Sequence, residues 1–134
     1  MRDHNKLKAF ELADRLALEV YRATRRFPKE ELFGLTSQLR RASVSVPCNI
    51  VEGCARNSEA DYAHFLNVAF ASAHEAQYQI SLSSRLGYLC EADHQLLRDL
   101  AEQTSKVLGG LMRAFARPRG VESRARAAAP PGSL

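Results

Sequence analysis

No tryptophan occurs in these 134 residues, and aromatic side chains make up only 7%. Surfaces that read nucleobases by stacking need repeated exposed aromatics, so that class of binding module has little support. Cysteines number three (Cys48, Cys54 and Cys90), an odd set with no C-x-x-C pair. This argues against a disulfide framework and a zinc ribbon, and it suits a reducing compartment. No apolar run approaches the roughly 18 residues that cross a bilayer, so no membrane contact is expected. The opening Met1-Arg2-Asp3-His4-Asn5-Lys6 leads into an amphipathic pattern, not an apolar core. No secretory signal is therefore expected, and the expected location is cytoplasmic.

Catalytic constellations are missing as well. No H-E-x-x-H, G-x-S-x-G or G-x-x-x-x-G-K-[ST] occurs. His64 and His74 lie about 80° apart around a helix, which is not the i, i+4 spacing of a metal pair. Cys48 and Cys54 point to different faces of one helix and read as packing residues. Glu52 and Glu75 lie beside apolar seams, where a bare carboxylate is costly. They read either as general acid or base, or as interhelical ion pairs with Arg40, Arg41 or Arg56; the second reading is preferred. No enzymatic activity, metal or cofactor is expected.

What remains is an ordinary globular composition, with 46% hydrophobic and 25% charged residues, which excludes wholesale disorder. The length suits one domain. The net charge of +4 is unevenly spread. Residues 15–56 hold eight Lys or Arg against four acids, a net of +4, whereas residues 57–115 hold four against seven, a net of −3. Such polarity suits a polyanion ligand or head-to-tail self-association.

Apolar spacing is helical almost throughout. The first segment, about Leu7 to Arg26, places Phe10, Ala13, Ala17, Val20 and Thr24 on one face, with Leu12, Leu16 and Phe27 beside it. Phe27-Pro28 ends it, since proline disfavours the helical region for its predecessor. In the second, Leu35, Leu39, Ala42, Val46, Asn49 and Gly53 form a seam, and Pro47 is expected to bend the helix. Ser43 and Ser45 are candidates to occupy the freed carbonyls. Ser58-Glu59-Ala60-Asp61 resembles a capping arrangement for the third segment, Glu59 to about Leu86. That segment carries Tyr62, Leu66, Ala69, Ala73, Ala76 and Ile80, small enough in the middle for close helix packing. Gly87-Tyr88 reads as its stop. The fourth, about Glu91 to Phe115, shows Leu97, Leu100, Thr104, Val107 and Leu111. The expected fold is all-α, an up-and-down four-helix bundle over residues 1–116. A disordered basic Ala/Pro/Arg tail is expected over residues 117–134.

Basic residues provide the functional lead. On the first helix Lys8, Arg15, Arg22, Arg26 and Lys29 fall within about 60° of one another. Glu11 and Glu19 share that stripe, so part of it reads as solvated pairs. The end from Arg22 through Arg25 and Arg26 to Lys29 is free of acids, and with Arg40 and Arg41 it forms a candidate phosphate-contacting cluster. Binding there is expected to be electrostatic and weakly sequence-selective.

The stretch from Phe27-Pro28 through Glu31, Gly34-Leu35, Gln38, Arg40-Arg41-Ala42, Ser45, Pro47, Asn49-Ile50 and Glu52-Gly53 to Arg56 resembles a family signature. The family is that of the four-helix-bundle proteins encoded within 23S ribosomal RNA intervening sequences. A second block (Phe65-Leu66 through Ala73, Glu75 and Leu86-Gly87-Tyr88) extends the resemblance to about residues 7–90. Val51 stands where alanine is usual and Phe10 where tryptophan is common. The resemblance implies a ring-shaped homopentamer without enzymatic activity. It also implies kinship with retroelement accessory variability proteins, similar pentamers that bind RNA or DNA and partner a reverse transcriptase. Arg40, Arg41, Pro47, Asn49, Glu52, Gly53, Arg56 and Glu75 match the signature and are expected to be structural. The expected function is a non-catalytic oligomeric accessory protein binding nucleic acid. The alternative is a scaffold or protein-interaction module without significant nucleic-acid binding.

Overall fold

The computed structural model describes residues 1–127, and side-chain surroundings up to Phe115. Four helices follow one another: α1 (Lys8–Thr24), α2 (Leu35–Cys54), α3 (Glu59–Arg85) and α4 (Glu91–Ala127). Short 3-10 turns at His4–Lys6 and Lys29–Glu31 precede α1 and α2. Each helix packs on its two neighbours in the order α1, α2, α3, α4 and back to α1, while diagonal pairs stay apart. This is the square section of an up-and-down bundle, the outcome that short links between amphipathic helices favour.

Local chemistry sets the ends. Ser58 Oγ accepts the Asp61 N–H at 3.1 Å, so the expected cap of α3 is formed. At the other end Tyr88 N–H donates to the Ser83 carbonyl and Gly87 N–H to that of Ser84, with Gly87 at φ +82°. That double bond pattern is a Schellman stop, and it requires the left-handed backbone glycine supplies at little cost. Helix α4 continues past Phe115 to Ala127. The run Val121 to Ala127 is rich in Ala and Arg, strong helix formers. The expected tail therefore overlaps a helical stretch, and residues 128–134 lie outside the described residues.

The core has two halves. One gathers Leu12, Leu16, Val20, Phe27, Leu39, Ile80 and Leu97 at the end where α2 begins and α3 stops. The other gathers Ala13, Val46, Ile50, Tyr62, Leu66, Ala69, Ala73 and Leu108. The expected α3 stripe, from Tyr62 to Ile80, is buried at every named position. The α1 stripe is rotated from its expected setting. Ala9, Leu12, Ala13, Leu16, Val20, Ala23 and Thr24 are buried, whereas Phe10 and Ala17 are only half-buried. On α2, Ile50 is buried and Asn49 half-buried, the reverse of the seam expected there.

Candidate nucleic-acid interface and the groove beside it

The six basic residues expected to form one cluster divide into four groups. Arg22 is neutralised: its Nε meets Glu19 Oε2 at 2.7 Å and its Nη2 meets Asp93 Oδ1 at 2.9 Å. The hydrogen bond to Asp93, then that to Glu19, holds the guanidinium above its ordinary range. In turn the Arg22 hydrogen bond holds the Asp93 carboxyl below the usual carboxylate range. Since Asp93 lies on α4, the pair ties the first helix to the last.

Arg40 is a structural member. Its Nε donates to Thr24 Oγ1 at 2.8 Å, and its guanidinium lies over the Tyr21 ring at 4.6 Å. Thr24 Oγ1 itself donates to the Val20 carbonyl at 2.7 Å, so one hydroxyl joins the α1 backbone to α2. Arg25, Arg26 and Lys29 remain exposed in the link after α1, with no ion pair among the described residues. Arg41 is exposed on α2 and opens onto a groove.

The other signature positions make the following contacts. Glu52 Oε1 accepts from Arg56 Nη2 one turn along the chain. The expected interhelical ion pair is thus a local one, because Glu52 lies on the solvent side of α2 and not on its seam. Arg56 also covers the Phe65 ring. Glu75 is exposed and accepts from Gln79 Nε2 at 3.3 Å, without a basic partner among the described residues. Asn49 Nδ2 donates to the Ser45 carbonyl at 2.7 Å and to Ser45 Oγ at 3.0 Å. Ser45 Oγ pairs with Ser72 Oγ of α3 at 2.8 Å. Helix α2 passes through Pro47 as one element, and Ser43 Oγ bonds the Arg40 carbonyl, not the carbonyl that proline frees. Gly53 sits where an added Cβ would lie 3.0 Å from Phe65 Cβ, so α2 and α3 touch there.

Two arrangements escaped the reading of the chain. Glu31 accepts the Leu35 N–H at 3.2 Å through one carboxylate oxygen and the Tyr88 hydroxyl at 2.9 Å through the other. That hydrogen bond, first among the causes, raises the Tyr88 phenol above its ordinary range. One side chain caps α2 and fastens the α3–α4 turn to it. Arg2 stacks over Tyr62 at 3.8 Å while its N–H donates to the Cys54 carbonyl, closing the opposite end. Burial raises the Cys54 thiol and the Tyr62 phenol. The signature spacing of Glu31 to Leu35 carried a signal for the first; nothing local carried one for the second.

An open groove of about 600 Å³ runs between α1 and α2, lined by Phe10, Asp14, Leu18, Pro47, Cys48 and Val51 among others. A second cleft of about 540 Å³ continues it past Tyr21 and Val44 to Leu32, Phe33 and Arg41. Phe33 is 93% exposed, Leu18 66%, Leu32 51% and Tyr21 43%. Phe33, left almost wholly in water, forgoes roughly 1.5–3 kcal/mol of burial.

Among the described residues no three His, Cys, Asp or Glu side chains converge as a metal site. Among them, too, no helix is long and apolar enough to cross a membrane. What the fold and surface define is a four-helix-bundle protein with a groove on one flank. The model of the 23S rRNA-intervening sequence proteins matches residues 5–110, and the chain belongs to that family. Its fold is similar to the crystal structure of a protein of unknown function from the S23 ribosomal protein family of Bacteroides thetaiotaomicron VPI-5482. The TM-score is 0.72 at 22% identity, covering 78% of this chain and 95% of that one. Comparison with curated proteins finds no match.

Proposed function

We propose that this protein is a non-catalytic accessory protein that self-assembles and holds RNA or DNA through phosphate contacts. The observation that carries the reading is the corner formed by Arg25, Arg26 and Lys29, three exposed cations without an ion pair among the described residues. Such a corner attracts phosphates without reading bases. Assembly into a ring, a homopentamer on the family resemblance, repeats the corner and multiplies weak contacts by avidity. The charge split along the chain supports that assembly, since a basic half meeting an acidic half is a contact that closes.

The test is RNA binding against salt concentration for the full chain, for a chain ending at Ala116, and for R25E/R26E/K29E. Affinity falls steeply with salt, the shortened chain keeps a clear part of it, and the charge reversal lowers it tenfold or more. If the reversal leaves binding intact while the shortening abolishes it, the corner is a solvated surface. The scaffold reading then stands in its place, and the open groove is the observation that favours it.

A further inference from the structure

The two ends of the α1–α2 groove are unlike. At the end near the link, Phe33 projects almost wholly into water beside Leu32, Arg40 and Arg41. At the other, Phe10, Leu18, Pro47 and Val51 line a depression whose rim carries Asp14 and Glu52. Glu52 is engaged by Arg56, whereas Asp14 is exposed and makes no ion pair among the described residues. One end is an aromatic knob with cations; the other is an apolar socket with an acid.

A protomer cannot bring them together. From Leu35 to Cys48, α2 rises roughly 20 Å at 1.5 Å per residue. The helix between them is continuous. A second copy of the chain supplies both missing halves at once. We propose that the groove is the docking face between copies, with Phe33 of one protomer seated in the Phe10–Leu18–Pro47 socket of the next and its Arg41 set against Asp14. The contact is heterologous, knob to socket, so each protomer keeps one free knob and one free socket until the assembly closes. The inference rests on the self-association reading above and adds the surface, its polarity and its central side chain.

Light scattering on purified protein, with circular dichroism melts as the fold control, tests it. The wild-type chain is expected well above 14.9 kDa, the mass of one chain. F33E removes the knob and L18E blocks the socket, both at exposed positions, so each is expected to fold and run as a monomer. Mixed together, the two monomers form a dimer that grows no further, because one good knob meets one good socket. Asp14→Lys and Arg41→Glu each weaken assembly, and the double variant restores it. A wild-type oligomer indifferent to F33E and L18E would overturn the docking face while sparing self-association. A wild-type monomer overturns both. An F33E protein that keeps its assembled mass but loses RNA binding overturns the proposal too, and gives Phe33 to base stacking instead.

Discussion

Helix α2 has two flanks that carry apolar side chains and meet opposite fates. Toward α3, small residues let the backbones approach: Gly53 nearly touches Phe65, Ala69 and Ala73 are fully buried, and the Ser45–Ser72 hydroxyl pair bridges the seam. Toward the outside of α1, larger side chains (Phe10, Leu18, Tyr21, Val44, Val51) splay apart and leave a groove. Hydrophobicity alone therefore does not identify the core. Side-chain size at the crossing decides which apolar stripe closes and which waits for a partner.

Truncation gives the largest contrast. Leu66→Ala, fully buried on the closed flank, should cost about 2–5 kcal/mol in chemical denaturation. Leu18→Ala on the open flank should stay within about 0.5 kcal/mol when measured below the concentration of assembly. Equal costs would mean that the groove is core and the contrast false.

Gly53→Val sharpens the closed side. Its Cβ would crowd Phe65 Cβ and Tyr62, so thermal melts should show a loss of about 1–3 kcal/mol. Glu31→Gln comes next, at about 1–2 kcal/mol, because it weakens the cap of α2 and the Tyr88 bond together. Tyr88→Phe should cost less, since the cap survives.

Among the polar contacts Asp93→Asn has the smallest effect, less than about 1 kcal/mol, because the Arg22 partner is half in solvent. The Asp93 carboxyl is held below its unfolded value, so its contribution is present above about pH 4 and is lost as pH falls through the folded value. Acid titrations of stability should therefore be shallower for the Asn variant below pH 4 and parallel above it.

Much of the fold was legible because its signals are local. On helix α3 the heptad-spaced positions are the buried ones, and its cap and stop lie in adjacent residues, so both its limits and its buried face follow from the chain. Helix α1 carries two apolar stripes, one through Leu12, Leu16 and Val20, the other through Phe10, Ala17, Leu18 and Tyr21. Periodicity merges them into one wide face, and only the neighbours decide which is buried. The basic cluster divided for a related reason. Asp93 reaches Arg22 from another helix, and Thr24 reaches Arg40 across the α1–α2 contact. Charge counted along the chain does not see partners that arrive through the fold.

The link between α1 and α2 has a consequence for inheritance. A Cβ at Gly34 would lie 2.8 Å from Glu31 Oε1, the oxygen that holds the Leu35 N–H. Gly34→Ala thus acts by displacing a carboxylate three residues upstream. Once the Glu31 side chain is shortened, no other side chain lies within 4 Å of that Cβ. The two positions form one unit of variation: a descendant that shortens the acid relieves the crowding at the glycine, and one that changes the glycine first gives up the value of the acid.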